Sequence, residues 1–153
     1  MTKYRIVIGN DEAGFSYKET LREQLEADPR ILSVQDVGVD GHGDTAYPYV
    51  AIEVAQIVAR GEADRGLLIC GTGIGMAITA NKVNGVRAAV GHDSYSVQRS
   101  VLSNNAQVLA LGERVIGREL ARKLVSEWLE YHFDESSSSA AKVQAISDYE
   151  GKK

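Results

Sequence analysis

The sequence predicts an α/β fold of three layers, with five parallel strands between helices on both faces. Two observations carry this. Short apolar runs alternate with amphipathic helical segments from residue 4 to about residue 131, the order that builds a parallel sheet with right-handed crossovers. One of these runs, residues 66–69, is apolar almost throughout, as a strand is when both faces of its sheet are covered. At 153 residues the chain has the length of one ordinary domain.

The elements follow in order. Residues 4–9 (YRIVIG) form a strand rich in branched side chains, closed by Gly9-Asn10-Asp11. Leu21 and Leu25 then recur at helical spacing until Asp28-Pro29 stops the helix. Residues 33–37 are a second short strand. A polar loop at 41–44 leads to Pro48, which a first helical turn tolerates, and Val50, Val54, Ile57 and Val58 give that helix its apolar face up to Gly61. After the third strand at 66–69, a glycine-rich loop opens a helix that runs through Lys82. Residues 87–90 and 108–111 are the fourth and fifth strands, separated by a helix over 95–102. Residues 117–131 form an amphipathic helix with Leu120, Leu124, Val125, Trp128 and Leu129 on one side. The arrangement expected is Rossmann-like or flavodoxin-like. Residues 134–139 (DESSSS) break the pattern and read as a linker, followed by a helix over 140–149 that is expected to pack on a neighbouring subunit. The division is therefore a catalytic domain over 1–133 and a linker plus C-terminal helix over 134–153 that belongs to the same domain.

Composition excludes several classes of function. Seventeen basic against 21 acidic residues leave a net charge of −4, which argues against a nucleic-acid footprint or a basic membrane patch. One cysteine cannot form an internal disulfide. No stretch approaches the roughly 20 apolar residues that cross a bilayer, and the N-terminal apolar run is too short for a signal peptide. The expectation is a soluble, cytoplasmic protein.

In doubly wound sheets, ligands bind beyond the carboxyl ends of the strands. The candidates there are Asn10, Asp11 and Glu12 after the first strand and Cys70, Gly71, Thr72 and Gly73 after the third. His92 and Asp93 follow the fourth, and Gly112, Glu113 and Arg114 the fifth. Gly71, Gly73 and Gly75 are spaced GxGxG, not GxGxxG, and follow the third strand, so a dinucleotide fingerprint is disfavoured. The better reading is a small anion cradle of backbone amides to which Thr72 adds a hydroxyl. Cys70 is either a small buried apolar residue or, facing amides and a helix N-terminus, a nucleophile or carbon-acid base. Arg114 is either a solvated arginine or a fork for a phosphate, and Lys142 and Lys82 carry the same two readings. His92-Asp93 reads as a solvated turn before it reads as an acid/base pair. Three scattered histidines and one cysteine make a metal site improbable.

The run Cys70-Gly71-Thr72-Gly73-Ile74-Gly75-Met76 and the following ANKVNGVRA resemble the signature of the ribose-5-phosphate isomerase B and galactose-6-phosphate isomerase family. Gly9 to Phe15, Tyr47-Pro48 and Gln107 to Gly117 support the resemblance, which covers nearly the whole chain. It implies aldose–ketose isomerisation of a phosphosugar through an enediolate, without metal or organic cofactor. It also implies a homodimer or homotetramer whose active sites are shared between subunits. Carried over by position, Cys70 moves the proton between the first two carbons, and Thr72 with Gly71, Gly73 and Gly75 holds the enediolate oxygens. Asp11, Glu12 and Tyr47 fall at positions that contact the sugar. Ser103 and Asn104 fall at substrate-binding positions, Asn104 and Arg114 at ones that reach the substrate from the partner subunit, and Arg114 and Lys142 at the phosphate.

Four positions depart from the ribose-type pattern. Glu12 stands in place of a histidine, Ser103 in place of the histidine assigned to ring opening, and Ser138 and Lys142 in place of two phosphate arginines. Ribose 5-phosphate is the family's default substrate. A tetrose 4-phosphate has O4 esterified and cannot close a five-membered ring, so its isomerase needs no ring-opening histidine. Residues 92–96 and 102–107 also resemble tetrulose-phosphate isomerases. The alternatives are therefore an isomerase of D-erythrose 4-phosphate and D-erythrulose 4-phosphate or, from another class, a non-catalytic module that binds phosphosugars or nucleotides.

Overall fold

Alternate residues of a strand face opposite sides of its sheet, and in this protein that alternation sorts the interior into two cores. The computed structural model describes residues 1–151. Its strands are β1 (Tyr4–Asn10), β2 (Ile31–Asp36), β3 (Arg65–Cys70), β4 (Ala88–Val90) and β5 (Val108–Gly112). The helices are α1 (Phe15–Glu26), α2 (Tyr47–Ala59), α3 (Ile74–Ala80), α4 (Ser94–Leu102), α5 (Arg118–Trp128) and α6 (Ala140–Glu150). A single 3₁₀ turn, Glu12–Gly14, joins β1 to α1.

Ile6, Ile8, Leu67, Ile69, Leu109 and Leu111 point to one face, where Leu21 and Leu25 of α1, Val97 and Val101 of α4, and Leu124 and Trp128 of α5 cover them. Val7, Leu68, Cys70, Val108 and Ala110 point to the other face, under Val50, Val54 and Ile57 of α2 and Met76 and Ala80 of α3. Cys70 therefore belongs by register to the layer of α2 and α3, and it sits where β3 runs out.

All strand pairs are parallel, in the order β2–β1–β3–β5–β4. The chain leaves β1 for β2 on one side and returns to β3 on the other, so β1 and β3 flank the switch point where ligands enter such sheets. The Rossmann-like expectation holds, with one departure from sequential order: β5 lies inside and β4 takes the edge. Composition explains the exchange. β5 (VLALG) is buried at every position, whereas β4 (AAV) is short, small and half-buried.

One expectation needs correction. The fifth helix ends at Trp128 and not at residue 131, and Leu120 is 38% exposed. The buried stripe is Ala121, Leu124, Val125 and Trp128, at the spacing i, i+3, i+4, i+7, and Leu120 lies beside it. The segment 134–139 is a pair of tight turns: Asp134 Oδ1 accepts from the amide and hydroxyl of Ser136 at 2.9 and 2.6 Å, and its carbonyl accepts from Ser137 N at 3.0 Å. Beyond it, α6 buries Val143 against its own chain and Glu150 accepts from Gly85 N at 2.8 Å. The last two residues assigned to the C-terminal segment, 152 and 153, lie outside the described residues.

Candidate active site

The carboxyl ends of β1 and β3 open into a cavity of about 430 Å³ lined by Asp11, Ala13, Tyr47, Cys70, Gly71, Thr72, Ile74, Gly75, Ile78 and Arg114. Its floor is set by backbone. Gly73 adopts φ +78° at the start of α3, a conformation that would cost a residue with Cβ about 1–2 kcal/mol. A Cβ there would also lie 3.0 Å from the backbone of Leu111. This turn aims the Gly73 N–H at Cys70 Sγ, to which it donates at 3.0 Å. Cys70 is 5% exposed and lines the cavity.

Two backbone hydrogen bonds fix the loop from the opposite side. Glu113 N donates to Cys70 O at 2.9 Å and Arg114 N to Gly71 O at 3.0 Å. The turn after β5 is thus locked to the turn after β3, and the Arg114 side chain lies across Gly71, within 3.3–3.6 Å of where a Cβ would stand. Thr72 Oγ1 accepts from Ile74 N at 3.2 Å, which leaves its hydroxyl proton to donate elsewhere. Tyr47 opens α2, and its ring lies so close over Gly75 that a Cβ there would be 2.5 Å from ring carbons. Asp11 caps the 3₁₀ turn, accepting from Gly14 N at 3.1 Å, while lining the cavity.

The histidines take other roles. His92 Nε2 accepts from Gly112 N at 2.8 Å, and burial lowers its pKa, which favours the neutral acceptor. Asp93 caps α4 by accepting from Ser96 N at 2.8 Å, so the two residues form a structural turn and not an acid/base pair. His132 hydrogen-bonds Tyr4 at the other end of the molecule, at 2.8 Å, and His42 is exposed in the loop before α2. None of the three lines the cavity.

The structure thus brings together Asp11, Tyr47, Cys70, Gly71, Thr72, Gly75 and Arg114, with Gly73 buried beneath them. Glu12 is exposed in the neighbouring turn and does not line the cavity. Ser103 and Asn104 end α4 at the amino end of β5, and β5 separates them from the cavity by about 13 Å of strand. Lys142 is exposed on α6, which lies at that same amino end beside a second cavity of about 570 Å³ that includes Arg87, Asn105, Phe133 and Gln144. Sequence reasoning missed Ala13, Ile74 and Ile78 in the cavity wall. The signal was available in part: Ile74 and Ile78 are one helical turn apart, and both are more than half exposed.

Residues 6–146 match the family described as Ribose/Galactose Isomerase. The chain belongs to that family. A D-erythrulose-4-phosphate isomerase 2 from Mycolicibacterium smegmatis is 68% identical over 148 residues, 96% of this chain and 97% of its own length. A D-erythrulose-4-phosphate isomerase from Pectobacterium atrosepticum is 49% identical, over 95% of this chain and 94% of its own. Among solved structures, the ribose-5-phosphate isomerase B of Clostridium thermocellum superposes with a TM-score of 0.91 at 41% identity, covering 97% of this chain and 98% of its own. As a member of the ribose/galactose isomerase family the chain is a sugar-phosphate isomerase, and its cavity holds a thiol bonded by an amide, a hydroxyl and an arginine. Among the described residues there is no cluster of side chains able to hold a metal ion, and no helix is long and apolar enough to cross a membrane.

Proposed function

We propose that this isomerase interconverts D-erythrulose 4-phosphate and D-erythrose 4-phosphate. The observation that carries the reading is that all three histidines are placed outside a cavity that otherwise holds a thiol, a hydroxyl, a carboxylate and a guanidinium. Such a site suits a substrate whose carbonyl is already open. The relatives at 68% and 49% identity, both named for erythrulose 4-phosphate, support the same substrate ahead of ribose 5-phosphate. The likeness to a ribose-5-phosphate isomerase B keeps the pentose as the second reading.

In the proposed reaction, Cys70 removes a proton from C1 of the ketose. The C–H electron pair becomes the C1=C2 bond, and the carbonyl oxygen takes negative charge as an enediolate. The loop at Gly71, Thr72 and Gly75 and the Thr72 hydroxyl face that oxygen, while the Gly73 and Ile74 amides hold Cys70 Sγ and Thr72 Oγ1. Preorganised donors of this kind are commonly the largest source of rate. The hydroxyl proton passes from O1 to O2, and Cys70 returns its proton to C2, giving the aldose. Asp11 and Tyr47 hold the sugar hydroxyls, and Arg114 takes the phosphate in a fork.

Two copies complete one site in this reading. Ser103, Asn104 and Lys142 lie at the wrong end of their own sheet to reach their own Cys70. Ile74 and Ile78 line the cavity, and with Tyr49 and Ile52 they are exposed large apolar side chains on α2 and α3, a surface that suits a protein partner. A second chain seated there would bring its α4 end and α6 to the phosphate.

Steady-state kinetics with the two substrates side by side test the proposal. The expected result is a kcat/KM for D-erythrulose 4-phosphate at least about tenfold above that for D-ribose 5-phosphate, a difference of about 1.4 kcal/mol in transition-state binding. The opposite preference would establish the pentose enzyme, and turnover of neither would leave a binding module.

A further inference from the structure

Asn10 is fully buried at the end of β1, beside the cavity but outside its lining. Its Nδ2 donates to two carbonyls at once, Asp11 O at 2.8 Å and Val39 O at 3.1 Å. Its backbone carbonyl accepts from Val39 N at 3.2 Å. With two carbonyls facing Nδ2, the amide cannot be turned over without setting oxygen against oxygen, so its orientation is fixed. Oδ1 is then left buried with no hydrogen-bond partner. It occupies the space beside Gly38, where a Cβ would come within 1.9 Å of it. A buried orphan oxygen is a standing cost that alanine would avoid, and its retention at a ligand-bearing strand end calls for an explanation.

The connectivity supplies one. Residues 37–46 run from the end of β2 into Tyr47, the first residue of α2. The Asn10 amide bonds to Val39, near the start of this loop, on one side and to the peptide of Asp11 on the other. Asp11 and Tyr47 both line the same cavity. We infer that Asn10 is a positioning residue: a latch that ties the 37–46 loop to the end of β1 and so fixes the separation of Asp11 and Tyr47 across the substrate. Asn10 acts on the two residues that hold the sugar and not on Cys70, whose loop is anchored independently through Glu113 and Arg114. The kinetic part of this inference rests on the isomerase reading above; the structural part does not.

The test uses Asn10→Ala, Gly38→Ala and the double variant, each as the full chain. Asn10→Ala is expected to raise KM for D-erythrulose 4-phosphate about tenfold, the loss of one to two net hydrogen bonds, while kcat falls less than about threefold. Amide hydrogen exchange should accelerate at residues 37–46 and stay unchanged at residues 70–75. Gly38→Ala keeps Asn10 but drives a methyl group into Oδ1, and it should reproduce both changes. In the double variant the clash with Oδ1 is gone and only the 2.9 Å approach to the backbone nitrogen of residue 10 remains, so the two effects should be less than additive. Unchanged exchange at 37–46 in Asn10→Ala would overturn the latch, as would exchange accelerated equally throughout the chain or strict additivity of the pair. A kcat loss that exceeds the KM change would place Asn10 in the proton-transfer step instead. If the wild-type chain turns over neither sugar phosphate, the isomerase reading fails while the exchange measurements still decide the latch.

Discussion

The two ends of the sheet bear the residues assigned to substrate in different ways. At the carboxyl end, Cys70 to Gly75 are held by backbone: a left-handed glycine, an amide on the thiol, and two hydrogen bonds from the turn after β5. At the amino end, Ser103, Asn104 and Lys142 sit at or near the termini of two helices, and the turn after α4 is held by hydrogen bonds from Asn105 N to Val101 O at 2.9 Å and from Ala106 N to Ser100 O at 2.8 Å. There Arg87 Nε donates to Asn105 O at 2.7 Å, and Gln107 Oε1 accepts from Arg87 N at 2.8 Å. In the proposed two-copy site, one chain supplies Cys70, its loop and Arg114, and the surface of the other supplies the end of α4 and Lys142. Chemistry needs sub-ångström placement of a base, whereas a cation acts on a phosphate over a longer range.

Removing the base should break the carboxyl end outright. Cys70→Ala is expected to lower kcat by about 10²–10⁴-fold, the usual contribution of a positioned base, with KM little changed. Proton exchange at C1 measured by NMR should fall in parallel, and near-normal exchange would remove Cys70 from the mechanism. A mixing experiment sharpens the contrast between the two ends. Asn104→Ala/Lys142→Ala and Cys70→Ala chains, each nearly inactive alone, should recover a fraction of wild-type turnover when refolded together, because each mixed pair holds one intact site. No recovery would mean that each chain completes its own site.

The smallest effect concerns the wall of the carboxyl end on the β2 side. Lys18, only 3% exposed, binds Asp36 at 2.7 Å and Glu19 at 2.8 Å. Hydrogen bonds from Arg22 and Lys18 lower the Glu19 pKa to about 2. A depressed carboxylate stabilises the fold above its unfolded pKa and loses that contribution as pH falls through the folded value. The melting temperature should therefore decline between about pH 4.5 and pH 2. The Glu19→Gln variant should show a shallower decline over that window, and an identical acid profile would assign the loss to other groups.

Much of this was legible in the sequence for local reasons. Periodicity gave the five strands, and period-two alternation sets Leu68 and Cys70 on one face and Leu67 and Ile69 on the other. The GxGxG run after β3 marked the cradle, because glycines at a strand end before a helix have few other uses. Leu120 was misplaced because a helical stripe has edges that only packing defines. The roles of His92 and Asp93 were open because a turn and an acid/base pair share the same residue types. The Gly112 amide bonded to His92 comes from 20 positions away in the chain.

By itself, then, the sequence determined the parallel α/β architecture and put Cys70 and its glycine-rich loop at a strand end, since each depends on neighbours a few residues apart. Only the tertiary structure decided that β5 lies inside β4, that no histidine lines the cavity, and that Asn10 spans from Asp11 to Val39. Those facts arise from contacts between segments distant in the chain, where burial and hydrogen-bond partners are fixed by how whole elements pack and not by local spacing.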